Sequence, residues 1–175
     1  MSIETTIPRI YVACLAAYNS GILHGVWIDA LHHNSDAIME EVQAMLKSSP
    51  VPGAEEWAIH GYEGFAGVHI SESEGFLQVH EYALFVNEHG ELGAKVMAHC
   101  GSGVDAAEAI LDEDYSGCYA SIADFAEEMI RETTEIPQNL QYYIDYARMA
   151  ADWEMSGDIF TIETAHDEVH VFWNR

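Results

Sequence analysis

Positively charged residues are scarce in this 175-residue sequence, in which 6 Lys and Arg stand against 30 Asp and Glu. Because affinity for nucleic-acid phosphates comes from Lys and Arg, the scarcity argues against direct binding to DNA or RNA. The hydrophobic fraction, 49%, is ordinary for a folded protein. Disorder therefore does not explain the acidity, since disordered acidic chains lack the apolar residues that offset ordering entropy.

Cysteines and long apolar runs are also few. Cys14, Cys100 and Cys118 form no close pair and leave one over. Together with the absence of a recognisable signal peptide, this favours a reducing cytoplasm. No apolar run approaches the roughly 18 residues of a membrane span, so we expect a soluble cytoplasmic protein with no membrane partner.

The abundant feature is negative charge, with a formal net charge of -24. Charge of one sign destabilises the compact state by self-repulsion, so its retention needs an explanation. Adaptation to high salt and simple solvated acidic faces are two explanations that composition leaves open. The placement of the charges along the chain distinguishes these two explanations from a functional explanation.

Residues 1–62 are predicted to form an N-terminal β-β-α-β domain. Residues 8–15 and 22–29 are rich in β-formers and enclose a turn sequence at 18–21. A helix opening at Ser35 and a strand at 56–62 complete the unit.

Residues 63–103 are predicted to form a central helical domain. Helical periods cover 76–89 and 91–100, and Gly90 interrupts them. A further short helix is predicted at 104–111, which begins the third section.

Residues 104–175 are predicted to form a C-terminal α+β domain. Ser121 and Asp124 make a capping-box pattern at the start of an amphipathic helix. Pro137 suits the first turn of a second helix that stops at Gly157. The runs 159–164 and 169–173 predict a C-terminal hairpin. The fold class is therefore α+β, with strands at both ends and a helical middle.

The acidic residues concentrate in the third section. Residues 104–175 carry 17 acidic and 3 basic residues, against 7 and 2 in residues 1–60 and 6 and 1 in residues 61–103. Five acids recur at helical offsets, which predicts a ridge opposite the apolar stripe. They are Asp124, Glu127, Glu128, Glu132 and Glu135.

Asp112, Glu113 and Asp114 extend this acidic track and are predicted to lie in a turn just upstream. Duplex DNA carries about one negative charge per 1.7 Å of axis. Two copies of this protein would therefore carry the same net charge as roughly 80 Å of duplex. A sphere could not lay that charge out in a line. Small domains in a row could, so we expect an elongated chain of three small domains.

An acidic hydrolase or a metalloenzyme with a His/carboxylate site is the alternative. His32 with His33, and His166 with His170, are the closest histidine groupings. The second pair flanks a predicted hairpin turn instead of stacking on one helix face. No metal and no cofactor is therefore expected.

The sequence gives little support for a catalytic nucleophile. Cys14 lies in an apolar strand, as a small core residue would, and Ser102 lies in Gly-Ser-Gly without the G-x-S-x-G pattern. The carboxylates are so abundant that no acid–base pair stands out. Tyr115, Gly117 and Tyr119 fit either a packed turn or a self-association surface.

Several stretches, in colinear order over nearly the whole chain, resemble the ArdA antirestriction family. They are residues 8–15, 25–30, 56–60, 117–128, and 156–158 with 169–173. The resemblance implies an elongated, three-domain α+β protein that forms a homodimer and mimics B-form DNA. It also implies a non-catalytic inhibitor of type I restriction-modification enzymes, carried by mobile genetic elements.

The family's antirestriction motif, Leu-x-Glu-x-Tyr-x-Gly-x-Tyr, has its counterpart in the third section. By resemblance, the motif and its dimer contact fall on Leu111, Glu113, Tyr115, Gly117 and Tyr119. The expected partners are the methyltransferase and specificity subunits of the enzyme. The DNA-mimicking surface is then expected at Asp112, Glu113, Asp114, Asp124, Glu127, Glu128, Glu132 and Glu135.

Overall fold

The computed structural model describes residues 6–31 and 34–175. His32 and His33, considered above as metal ligands, lie outside the described residues. The structure is 48% helical and 21% strand, which confirms a mixed α+β composition. The chain divides into two compact units, Met1–Ala94 and Lys95–Arg175. The three-domain arrangement with boundaries at 62 and 103 stays a prediction.

The first unit contains a three-stranded antiparallel sheet in the order β2-β1-β3. Its strands are β1 (Arg9–Cys14), β2 (Gly25–Asp29) and β3 (Trp57–Glu63). Four of the six residues of β1 are buried, including the consecutive residues Val12, Ala13 and Cys14, in keeping with its central position in the sheet. The strands predicted at the N-terminus are confirmed.

The helices of the first unit largely follow the prediction. The predicted turn at 18–21 is preceded by a short helix, α1 (Leu15–Asn19). Helix α2 (Ser35–Lys47) begins as predicted, with the Asn34 side chain accepting a bond from the Ala37 N–H. Its buried residues recur at helical spacing and pack on the sheet.

Helix α3 (Phe76–Cys100) is interrupted where the sequence indicates. Gly90 has φ 59° and ψ -146°, a conformation that only glycine adopts readily, so the regular helix breaks there. The two predicted helical segments are confirmed. None of the described helices is long and apolar enough to cross a bilayer.

The second unit contains a sheet in the order β4-β6-β5 with two helices packed on each other. Its elements are α4 (Val104–Ala109), a π-helical turn (Ile110–Asp114), β4 (Tyr115–Tyr119), α5 (Ile122–Thr133), a 3-10 turn (Gln141–Tyr143), α6 (Tyr146–Ser156), β5 (Ile159–Ala165) and β6 (Glu168–Trp173). Strands β5 and β6 pair antiparallel, so the C-terminal hairpin is confirmed.

A hydrophobic cluster joins α5 to the sheet of the second unit. Phe125 is fully buried against Ile159, Val169 and Val171, and the rings of Trp153 and Trp173 lie around it. Burial of these side chains fixes which face of α5 turns inward, and so which face remains outside.

The helix predicted from Pro137 is wrong. Residues 134–145 form extended chain, a turn and one 3-10 turn, and α6 begins only at Tyr146. Asp145 caps α6 by accepting a bond from the Arg148 N–H at 3.0 Å. An Asp is a strong N-cap, so the helix begins after Asp145.

Strand β4 was not predicted. Its sequence, Tyr-Ser-Gly-Cys-Tyr, has weak strand character, and Gly117 has φ 141° beside a register shift in its pairing with β6. Pairing with β6 supplies the extended conformation that local propensity does not.

Candidate protein-binding surface

The acidic ridge predicted after residue 121 lies on helix α5. Ser121 accepts a bond from the Asp124 N–H at 3.3 Å and donates its hydroxyl to the Asp124 carboxylate at 2.7 Å. The capping pattern is therefore confirmed, and it begins α5 at Ile122.

The helical period then separates charge from core. Phe125 and Ala126 are buried, whereas Asp124, Glu128 and Glu132 are exposed on the opposite side. We call Asp124, Glu127, Glu128 and Glu132 the α5 acidic face. Adjacent members of this face are like charges three or four residues apart, which disfavours the helix.

The members of the α5 acidic face differ in their partners. Glu127 forms an ion pair with Arg131 at 2.5 Å. Glu128 lies close to Tyr119, whose pKa is raised by burial and further by the charge and hydrogen bonding of Glu128. Asp124 contributes to the cap of α5, so it serves the fold as well as the surface.

Glu135 does not belong to this face. Helix α5 ends at Thr133, and Glu135 lies exposed in the extended chain beyond it. The predicted five-residue ridge is therefore wrong at its last member, because the helix ends at the β-branched pair Thr133 and Thr134, two residues before Glu135.

Asp112, Glu113 and Asp114 lie in a π-helical turn upstream of α5, at the position where a turn was predicted. Asp112 and Glu113 are exposed. Asp114 is not: its side chain is 18% exposed, and its Oδ1 lies 3.3 Å from Arg175 Nε. Because Oδ1 is buried without a hydrogen bond, the arginine charge is what compensates it.

The predicted antirestriction motif falls on the π-helical turn and on β4. Leu111 and Glu113 lie in the turn, and Tyr115, Gly117 and Tyr119 lie in the strand. In β4 the two tyrosines point to opposite faces of the sheet. The rings of Tyr115 and Phe172 are tilted to each other with centroids 5.1 Å apart, and Tyr119 meets Phe125 edge-on at 5.3 Å.

Burial favours the neutral form of both tyrosines. The Tyr115 hydroxyl lies 2.8 Å from His170 Nδ1, and Thr164 Oγ1 lies 2.9 Å from the other ring nitrogen of His170. Burial raises the pKa of Tyr119 above 10.0, and the charge of Glu128 and its hydrogen bond raise it further. Burial also raises the pKa of Tyr115.

His170 is held neutral at the centre of this contact. Burial lowers its pKa below 6.5, Lys95 lowers it further, and Glu168 acts in the opposite direction. The three strands therefore meet at one histidine, which links the motif strand to the hairpin.

The sheet of the second unit has two edge strands with different surroundings. Along β5, Lys95 Nζ donates a bond of 2.7 Å to the carbonyl of Glu163. Strand β4 forms the other edge, and residues 115–123 contain no charged side chain. Native sheets commonly protect an edge with charged residues, so the uncharged edge at β4 is the exception.

The residues considered for catalysis or metal binding are scattered. His166 is 96% exposed and lies 3.5 Å from Asp167, whereas His170 is engaged in the sheet. Cys14 is buried, and Ser102 donates its hydroxyl to the Cys100 carbonyl. Within residues 6–31 and 34–175, no group of three His, Cys, Asp or Glu could hold a metal ion.

Two features of this unit had little signal in the sequence. The Asp114–Arg175 ion pair joins residues far apart in the chain, so spacing could not indicate it. The exposed tyrosines Tyr142 and Tyr143 fall within the helix predicted from Pro137 to Gly157, although an uncharged run after Pro137 was visible.

Comparison with known proteins bears on this surface as a whole. A search of curated proteins gave no match. The family model described as antirestriction protein (ArdA) matches residues 10–168, which covers the first sheet from Ile10, the motif strand β4, α5 and β5, and ends at the first residue of β6. On that match, the chain belongs to the ArdA family of antirestriction proteins.

Proposed function

We propose that this protein inhibits type I restriction-modification enzymes by occupying their DNA-binding groove. The observation that carries the proposal is the α5 acidic face, where exposed carboxylates lie opposite a buried apolar stripe. In this mechanism the carboxylates take the places of DNA phosphates and pair with Lys and Arg of the groove. No covalent bond is made or broken.

The charge balance of the second unit supports the proposal. Residues 104–175 contain 17 acidic side chains and three arginines. Two of these arginines pair with Glu127 and Asp114. Most carboxylates of the segment therefore need cations from outside it. A groove that binds a polyanion provides such cations at high density.

The proposal names its partners by this chemistry. The methyltransferase and specificity subunits hold the DNA, so they are the subunits that the protein binds. Inhibition then follows from competition, first of DNA binding and cleavage and, where the same groove is used, of modification. The protein acts in the cytoplasm and binds no nucleic acid itself.

We further propose that two copies associate through the motif region, with contacts from Leu111, Glu113, Tyr115, Gly117 and Tyr119. The uncharged edge at β4 supports this, because a second copy meets few like charges there. A homodimer doubles the length of acidic surface. The proposal also requires an elongated row of small domains, which small-angle scattering of the purified protein measures.

Displacement of a labelled duplex from a purified type I enzyme tests the proposal. Unlabelled protein should release the duplex, while the protein alone leaves the mobility of the duplex unchanged. Binding to the enzyme should weaken steeply as salt rises from about 50 to 300 mM, because the attraction is between charges. An affinity that stays flat across this range would exclude phosphate substitution as the mechanism.

A further inference from the structure

The loop between α5 and α6 exposes two aromatic side chains in an otherwise charged unit. Tyr142 is 92% exposed and Tyr143 is 85% exposed, and Leu140 beside them is about half exposed. Residues 136–144 contain no charged side chain. We call residues 136–144 the tyrosine loop.

The backbone of the tyrosine loop is locally ordered. The Leu140 N–H donates to the Pro137 carbonyl at 2.9 Å, and the Tyr143 N–H donates to the Leu140 carbonyl at 3.0 Å. Pro137 restricts the chain further. The two tyrosines are therefore presented on a defined turn, so little ordering entropy is lost when a partner covers them.

The tyrosine loop contributes little to the core of the unit. Phe125, Ile159, Val169 and Val171 form that core, and neither Tyr142 nor Tyr143 packs on it. Adjacent exposed aromatic residues are costly in water and are enriched where proteins bind each other.

The charges around the tyrosine loop indicate which partner covers it. Exposed Glu132 and Glu135 precede it and exposed Asp145 follows it, while the nearby Arg131 is already paired with Glu127. A second copy bound at this loop would bring the same local carboxylates against this rim. A basic surface with arginines would match both the carboxylates around the loop and the two tyrosines, since guanidinium groups pair with carboxylates and stack on tyrosine rings.

On the basis of the function proposed above, we propose that the tyrosine loop docks on an arginine-bearing surface of the restriction enzyme beside the DNA groove. DNA offers no equivalent of this contact. The loop therefore adds affinity that depends weakly on salt, and it discriminates between enzymes that differ beside the groove while all bind DNA.

The test compares the double variant Y142S/Y143S with Y142F/Y143F and with Y18S, which removes an exposed tyrosine of the first unit. Affinity for the type I enzyme is measured by duplex displacement at several salt concentrations. The serine variant should bind about tenfold more weakly at every salt concentration, with the salt slope unchanged. The phenylalanine variant keeps the ring faces and should bind nearly as wild type does, as should Y18S.

Several outcomes would overturn this inference. Unchanged affinity of Y142S/Y143S would show that the loop contacts nothing in the complex. A loss accompanied by a change in oligomeric state, read by light scattering, would assign the loop to contact between copies. A thermal midpoint below that of the wild type would assign the loss to folding.

Failure of the underlying function is distinguishable from failure of this inference. If wild-type protein did not displace the duplex, or did so without salt dependence, the groove mechanism would be refuted by measurements on the wild type alone. If wild type behaved as proposed and Y142S/Y143S matched it, only the loop contact would fail.

Discussion

Neutralising three exposed carboxylates of the second unit should weaken binding similarly but change stability differently. The variants are Glu128→Gln, Glu132→Gln and Glu135→Gln. Paired at about 4 Å in water, unit charges attract by about 1 kcal/mol, and more where water is excluded. Each variant should therefore bind the type I enzyme about fivefold more weakly, and the triple variant about 100-fold, if the losses add.

The expected stabilities follow from the surroundings of each carboxylate. Glu132 has Glu128 one turn before it, so Glu132→Gln removes one like-charge pair and should stabilise the protein by roughly 0.2–0.5 kcal/mol. Glu128→Gln relieves repulsion but weakens the bond from Tyr119, so its two effects oppose each other. Glu135 lies beyond the helix, so Glu135→Gln should leave stability unchanged.

Duplex displacement gives the affinities and urea unfolding gives the stabilities. Glu132→Asp is the matched control, since it keeps the charge and should keep the affinity. The reasoning would be refuted if one of the three glutamines abolished binding while the other two had no effect. That pattern indicates a single chemical site, whereas distributed charge gives graded losses.

Further predictions concern the fold and its pH dependence. Phe125→Ala should destabilise the second unit by about 3–5 kcal/mol in urea unfolding, because it empties the centre of the core; a cost below that of the surface variant Tyr142→Ala would contradict this. Ser121→Ala should cost about 1 kcal/mol by the same measurement, and Ser121→Asn, another good cap, should restore most of it. His170 has a folded pKa below 6.5, so its contribution to stability is present above pH 6.5 and is lost as pH falls through the lowered pKa. The urea midpoint of His170→Gln should therefore fall less than that of the wild type as the pH is lowered below 6.5. If the midpoints of both proteins fell equally, the loss of stability in acid would come from other groups.

Patterns that depend on local chemistry were predictable from the sequence. The helix from Ser35, the cap at Ser121 and the C-terminal hairpin each follow from spacing or capping within a short window. The interruption at Gly90 was visible for the same reason. The α5 acidic face was likewise predictable up to Glu132, since one helical period fixes it.

Features that depend on distant residues were not predictable. Strand β4 is extended because it pairs with β6, about 50 residues later, and its own sequence favours a turn. From the sequence, Asp114 resembles the other surface acids, because nothing near it in the chain indicates its ion pair with Arg175. The start of α6 was misplaced because Pro137 is a credible first-turn residue, whereas the helix begins at the Asp145 cap.

Strand β4 also carries the one exposed thiol among the described residues. Cys118 is accessible, whereas Cys14 is buried and Cys100 is partly covered. An accessible thiol on an open strand is easily joined to its equivalent in another molecule when reductant is absent. Air-oxidised preparations would then contain covalent pairs that resemble a genuine assembly in size, and Cys118→Ser distinguishes the two. The same thiol, coupled to a fluorescent dye, would report directly on whatever approaches this edge of the sheet.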